Sequence, residues 1–359
     1  MSKYAIYGAH EIALATYKAY KILEPSTEIV CFMVTDRGDN ASSVRGVPVR
    51  ELREIASKLS DAEKDELRVL IATQAVFMPE IEQSLDSAGI RYHERIDSDQ
   101  WSELMTNVYL ETGEFRSLYG EKVGKKAADL NVYMAKFWKD KKLSGTYEVP
   151  KYCMPIQVGA ANTDAVVADI RDDEGDNISS RNANYSELTA LYWIWKNVLP
   201  KEKQDKYVGL AHYRRFLAIG DDDLKRLAGN DIDVVLPYPL PNEPDSAAHH
   251  KRYIAENEWE AVLKALQELQ PEYYEALDEV MAQEYIYAYN IFVAKNEVMN
   301  DYCGWLFPLL FRVEELIDPQ GIRKPNRYIG YIAETLETLY FMHNKEKYNI
   351  VFSGFKFLL

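Results

Sequence analysis

The residues best equipped for chemistry fall into two stretches, 172–215 and 289–334. Four are consecutive, His212-Tyr213-Arg214-Arg215, directly after the apolar run Tyr207–Ala211. A planar guanidinium engages two phosphate oxygens at once, so two arginines and a histidine at a strand end are the donors a diphosphate requires. A plain surface pair of arginines is the alternative. Upstream, Asp172-Asp173-Glu174-Gly175-Asp176-Asn177 gathers carboxylates and an amide around a glycine. Such a turn holds a cation or a sugar, or else its Asp and Asn side chains cap their own backbone, which composition favours. Asn184 and Glu187 have the spacing of an N-cap and its reciprocal acid, at the start of a helix with Leu188, Leu191, Tyr192 and Trp195 on one face. Read functionally, Glu187 is a carboxylate facing a pocket, ready to accept hydrogen bonds from hydroxyl groups. The segment Arg323-Lys324-Pro325-Asn326-Arg327, followed by Gly330, Tyr331 and Glu334, combines cations, a glycine and an acid. Glu334 is either a general base or a buried partner of Arg327.

These groups need a scaffold, and the pattern before them is βαβ. Apolar runs at Lys3–Ala9, Glu28–Thr35 and Arg68–Thr73 alternate with helical patterns over Glu11–Leu23, Glu51–Leu59 and Pro79–Ala88, and Ile90–Arg95 reads as a further strand. Strands spaced by helices of about ten residues predict a parallel sheet, here a Rossmann-like domain over residues 1–120. Its first turn, Tyr7-Gly8-Ala9-His10, keeps one glycine of the three in a dinucleotide fingerprint, which counts against a nicotinamide cofactor. A basic stretch follows: Lys122, Lys125, Lys126, Lys136, Lys139, Lys141 and Lys142 against Asp129 and Asp140. It is either a solvated linker or a positive rim for an anionic substrate. Asp221-Asp222-Asp223 follows Gly220 and reads first as the acidic first turn of a helix. Asp231–Pro237 predicts a strand, Glu256–Leu269 a helix, and His249-His250-Lys251-Arg252-Tyr253 either a contact for an anionic acceptor or a solvated helix start.

The chain has 359 residues, 47% of them apolar, and a net charge of −15. That profile excludes disorder and, lacking a basic face, disfavours nucleic acid as partner. No run approaches the ~20 apolar residues of a membrane span, and the apolar burst Met1–Gly8 lacks a cleavage site. Three scattered cysteines make neither a disulfide framework nor a zinc motif, so a reducing cytoplasm is the expected setting. The 26 tyrosines outnumber phenylalanine and tryptophan combined and suggest a polar pocket lined by rings.

The run from Gly175 through Asn177, Asn184 and Glu187 to Asn197, then Gly209-Leu210 and His212 to Arg215, resembles a family of bacterial capsular and exopolysaccharide glycosyltransferases. Tyr289-Asn290-Ile291-Phe292, Tyr302-Cys303, Trp305 to Phe307, and Arg327 with Gly330, Tyr331 and Glu334 continue the likeness in order, over about Val132 to Tyr340. The family usually has Met after the Asn of the Tyr-Asn pair, and His-Lys where Met134-Ala135-Lys136 keeps only the lysine. The first ~100 residues are similar to the small N-terminal domain of sugar-modifying acyltransferases. The resemblance implies an α/β fold with a GT-A-like domain over 121–359, and transfer of a hexose, galactose or galactofuranose among the candidates, from a nucleoside-diphosphate sugar, UDP-linked, to a lipid-linked oligosaccharide. A non-catalytic nucleotide-sugar-binding scaffold is the rival reading. The resemblance implies Lys136, Asn177, Asn184, Glu187, His212, Tyr213, Arg214 and Arg215 on the donor, and Tyr289, Asn290, Arg327, Gly330 and Tyr331 on the acceptor. Glu334, Asp172 and Asp176 are the catalytic candidates. GT-A folds usually carry an Asp-x-Asp metal pair at a strand end. Here His212 to Arg215 stands in its place, so no cofactor is expected, with Mg or Mn the alternative. A lipid-linked acceptor also implies peripheral contact with the inner face of a membrane.

Overall fold

The computed structural model describes residues 3–143, 148–321 and 325–358. The chain forms two compact units, one of Met1–Glu114 with Leu240–Glu243, the other of Phe115–Pro239 with Pro244–Leu358.

The first unit holds strands β1 (Lys3–Tyr7), β2 (Glu28–Val34), β3 (Ser43–Val44), β4 (Val47–Glu51), β5 (Leu67–Ile71) and β6 (His93–Arg95), with helices α1 (Glu11–Leu23), α2 (Leu52–Lys58), α3 (Asp61–Glu66), α4 (Met78–Ser87) and α5 (Ser98–Thr112). The sheet order is β3-β4-β2-β1-β5-β6, parallel except for the antiparallel β3–β4 edge. This is the doubly wound arrangement expected from the alternating pattern. Gly8 closes β1 with φ +127°, and a Cβ there would lie 2.5 Å from the Ala72 carbonyl oxygen. Close approach of two backbones therefore dictates that glycine. Helix α5 begins at an Asp97–Gln100 capping box.

The second unit contains β7 (Leu130–Lys136), β8 (Cys153–Gln157), β9 (Ile170–Arg171), β10 (Tyr207–His212), β11 (Arg215–Leu217), β12 (Val234–Pro237), β14 (Tyr285–Ile286), β15 (Phe292–Lys295), β16 (Ile350–Ser353) and β17 (Phe355–Phe357), β13 being Leu240–Pro241 of the first unit. Its helices are α6 (Asn182–Tyr185), α7 (Leu188–Asn197), α8 (Asp221–Gly229), α9 (Ser246–His250), α10 (Glu256–Leu269), α11 (Pro271–Met281), α12 (Asn296–Ile317) and α13 (Tyr328–His343). The sheet runs β16-β12-β15-β10-β7-β8-β9, and β11 pairs with β10 and β17. Both units are therefore α/β. No described helix is long and apolar enough to cross a membrane.

Strands β7 and β10 run parallel with Ala135 opposite His212, so Lys136 and His212 emerge at the same sheet edge. Outside the carboxyl ends of parallel strands is where open α/β sheets bind ligands. Val132, Met134, Tyr207 and Ala211 pack into the buried core beneath that edge. The basic stretch is divided between two places. Its first part lies along α8, where Asn230 donates to the Lys122 carbonyl, and its second part follows β7.

Candidate functional site at the end of β10

His212 pairs with Arg215 across β10 and β11, so His212-Tyr213-Arg214-Arg215 is a tight hairpin with Tyr213 and Arg214 at its tip. The two arginines diverge. Arg214 shares the neighbourhood of Asp140 with Lys136, and both cations lower the Asp140 pKa against the stronger upward effect of its burial. Arg215 turns the other way and lays its guanidinium 3.6 Å from the centre of the Tyr289 ring.

On that second side the chain brings together residues more than a hundred positions apart. Asn290 Nδ2 donates to Glu187 Oε1 at 2.8 Å and to the Gly330 carbonyl at 3.2 Å. His212 Nε2 stands 3.8 Å from the same Glu187 oxygen. Arg327 Nε donates to Ser186 Oγ at 3.1 Å. Glu334, partly exposed on α13, is pushed up to about 7, first by burial and next by the negative charge of Glu187. Arg215, a hydrogen bond from the Tyr289 main chain and Arg327 oppose that rise. Burial lowers the His212 pKa, the Arg215 and Arg327 charges add to the effect, and Glu187 and a hydrogen bond to the Tyr289 main chain act against it. Burial thus favours the neutral imidazole.

Two features mark this cluster as a site. Buried polar atoms are ordinarily hydrogen-bonded, yet His212 Nε2, Arg215 Nε and Asn290 Oδ1 are buried with no hydrogen-bond partner among the described residues. The backbone is also contorted here: of six non-glycine residues with positive φ among those described, four are Ser186 (51°), Tyr289 (83°), Asn290 (50°) and Arg327 (64°). Left-handed backbone at non-glycine residues persists where surrounding structure holds it, and concentrates at binding and catalytic sites.

Helix α7 starts at Leu188, and the expected pairing of Asn184 with Glu187 is not made. Asn184 lies in the one-turn α6, where its Oδ1 accepts from the Asn326 main chain, and Glu187 has no capping bond. The intervening Ser186, at φ 51° and ψ −129°, breaks the two helices apart and leaves the Glu187 carboxylate to Asn290.

In the carboxylate turn Asn177 caps the turn's own backbone, while Asp172 and Asp176 bond to other segments. Asp172 is fully buried, and its oxygens accept from the Gly159 and Ala160 main chain at 2.9 and 3.0 Å and from Ser179 Oγ at 2.5 Å. Asn177 donates to the Asp173 and Gly175 carbonyls and accepts from the Ser179 main chain. Asp176 accepts from the Tyr192 hydroxyl at 3.1 Å. A Cβ on Gly175, at φ +62°, would collide with Asn197 Oδ1 at 2.1 Å, so the turn is seated against α7. None of these contacts brings Asp172, Asp176 or Asn177 to Glu334.

Asp221 to Asp223 form the acidic first turn of α8. Asp223 accepts from the Gly220 main chain and pairs with Arg226 at 2.8 Å, and Asp222 pairs with Lys225 at 2.7 Å. In the 249–253 stretch, His249 and His250 are buried, and the His250 ring lies 4.2 Å from that of Trp259. These two rings pack inward, while Lys251, Arg252 and Tyr253 are exposed. The cationic pair Arg323 and Lys324 lies outside the described residues. A cavity of about 710 Å³ lined by residues such as Glu202, Asp233, Asn296, Asp301 and Tyr348 contains none of the expected site residues.

Glu337 escaped the sequence reading. It is fully buried one turn beyond Glu334, neither oxygen has a hydrogen-bond partner among the described residues, and burial raises its pKa well above the usual carboxylate value. Its three-residue spacing from Glu334 on a helix was the available signal, masked by the apolar run around it.

No curated protein matches the chain. A solved structure of WbbM, a bifunctional glycosyltransferase in its apo form, is similar at 27% identity with a TM-score of 0.54. The alignment covers 64% of this chain and 45% of that one, so the chain spans less than half the length of that structure. A family model described as Domain of unknown function (DUF4422) matches residues 139–345. That segment holds Glu187, His212, Arg215, Asn290, Arg327 and Glu334 and makes up more than half of the protein, which belongs to the DUF4422 family.

Proposed function

We propose that the protein is a glycosyltransferase that moves a hexose, galactose or galactofuranose among the candidates, from a UDP-linked donor to a lipid-linked oligosaccharide of a bacterial capsule, exopolysaccharide or O-antigen. The carrying observation is the convergence of three buried, unpartnered polar atoms, on His212, Arg215 and Asn290, beside Glu187 and a Glu334 carboxyl poised near 7. Similarity to a glycosyltransferase supports the reaction class.

In this reading Glu334 takes the proton from an acceptor hydroxyl. The oxygen attacks the anomeric carbon, and the bond from that carbon to the diphosphate breaks. Arg215 stabilises the negative charge gathering on the departing diphosphate, with Arg214 and Lys136 on its other flank. His212 supplies a buried hydrogen-bonding nitrogen beside it. Glu187, fixed by Asn290, accepts hydrogen bonds from donor-sugar hydroxyls.

The two guanidiniums at the end of β10 argue against a divalent cation there, and the aspartates at 221–223 serve α8. Fixed positive charge takes the part of a metal in this proposal. Contact with a membrane surface is supported by the loop after Lys136, where Trp138 is exposed with Lys139 Nζ 4.4 Å from its ring and Lys141 and Lys142 exposed beside it. A cytoplasmic location follows from this substrate pairing.

The test is release of nucleoside diphosphate from a panel of UDP- and GDP-sugars. Turnover that falls sharply in the Arg214→Ala, Arg215→Ala double variant supports the reading. An unchanged rate refutes the diphosphate assignment, binding without turnover favours a scaffold, and abolition by a chelator overturns the metal-free mechanism.

A further inference from the structure

The mechanism above leaves one aromatic pair unused. Tyr331 lies on α13 three residues before Glu334, a spacing that sets these two side chains on one face of the helix, and the left-handed Arg327 immediately precedes the helix. The Tyr253 ring stacks on it, with centroids 5.3 Å apart and planes 25° from parallel. Tyr253 is 47% exposed, the His249 ring leans on it at 5.1 Å, and His249 itself is buried. The phenol is thus held from two sides while much of it faces solvent. Beneath Tyr331, the Gly330 carbonyl accepts from the Asn290 amide that also fixes Glu187, tying the pair to the cluster.

We infer that Tyr253 and Tyr331 form the platform on which the terminal sugar ring of the acceptor stacks, placing its hydroxyl beside Glu334. This rests on the glycosyl-transfer reading. An aromatic face carries negative potential and receives the C–H face of a sugar, and a phenol hydroxyl hydrogen-bonds at the rim. A ring already held in place loses little freedom on binding, which favours a small ligand. Tyr253 sits far from the other site residues in sequence and reaches Tyr331 by ring stacking.

The probes are octyl β-D-galactoside and octyl β-D-glucoside below their micelle concentrations, titrated by NMR into the full-length protein without donor. The unmodified protein binds at least one of them. Tyr253→Ala weakens that binding roughly three- to tenfold, while Tyr253→Phe, which keeps the ring, stays within about twofold. Thermal unfolding of both variants matches the parent, separating a lost platform from a lost fold. An unchanged Kd in Tyr253→Ala, or no binding of either glycoside by the unmodified protein, overturns the inference. Because this measurement involves no donor chemistry, absence of turnover would sink the transferase reading without deciding the platform.

Discussion

Asn290 Nδ2 donates to Glu187 Oε1 at 2.8 Å across 103 residues of sequence, with the same nitrogen bonded to the Gly330 carbonyl. A single buried amide thus links the residue before α7, the turn before β15 and the first turn of α13. Replacing it with alanine strands a carboxylate and a carbonyl in a buried setting, at about 1–3 kcal/mol. Asn290→Ala is expected to lower both Tm and turnover. Asn290→Asp should be worse for turnover, because it sets a further negative charge against Glu187. Melting curves and steady-state kinetics on the two variants check the order.

Glu334 must be ionised to act as a base, so turnover should rise with pH through about 7 and level off above it. Glu334→Gln should lose the limb and roughly 10²–10⁴-fold in rate. Stability moves the opposite way. A carboxyl raised from 4.5 to about 7 contributes most below 4.5, and that contribution is lost as pH climbs through the folded value. The Tm of Glu334→Gln relative to the parent should therefore improve between pH 4.5 and 7. A flat difference across that range would remove the raised pKa from the mechanism.

Arg215 offers a planar fork stacked on Tyr289, with its buried Nε unpartnered. Lysine keeps the charge but neither the fork nor the stacking. Calorimetric titration of UDP should show Arg215→Ala weakening binding by roughly ten- to a hundredfold, in line with one lost charge-assisted hydrogen bond. Arg215→Lys should recover only part of it, and full recovery would reduce the role of Arg215 to bulk charge.

Asp172 separates a structural carboxylate from a chemical one. Its oxygens hold two main-chain N–H groups and the Ser179 hydroxyl. Asp172→Ala is expected to lower Tm by several degrees, since buried donors are left unpaired. Among molecules still folded, the transfer rate should stay near that of the parent. A large rate loss at unchanged Tm would restore Asp172 as a catalytic candidate.

Local pattern carried the scaffold well. Helices Glu11–Leu23 and Glu256–Leu269 have the limits their periodicity predicts, and β10 follows its apolar run one residue further, to His212. The site was legible in its residue types, since His212, Arg215 and Glu334 announce themselves beside a strand end and along a helix. Its wiring was not. Asn184 and Glu187 have the spacing of a capping pair, but Ser186 breaks the helix between them, and a tertiary bond to Asn290 claims the acid. Glu337 was invisible for the same reason, and Tyr253, named only within the basic stretch 249–253, owes its place beside Tyr331 to ring stacking between elements distant in sequence.

The left-handed backbone at Ser186, Tyr289, Asn290 and Arg327 carries a consequence for the history of this chain. Glycine would adopt those angles with the least strain, so each of the four side chains is kept against a backbone cost, offset at Asn290 by its bonds to Glu187 and Gly330. Where no such bond offsets it, a side chain held for the substrate is held at the expense of stability. A library of glycine replacements at these four sites would trace that exchange, with gains in thermal tolerance expected where the lost side chain was needed only by the substrate.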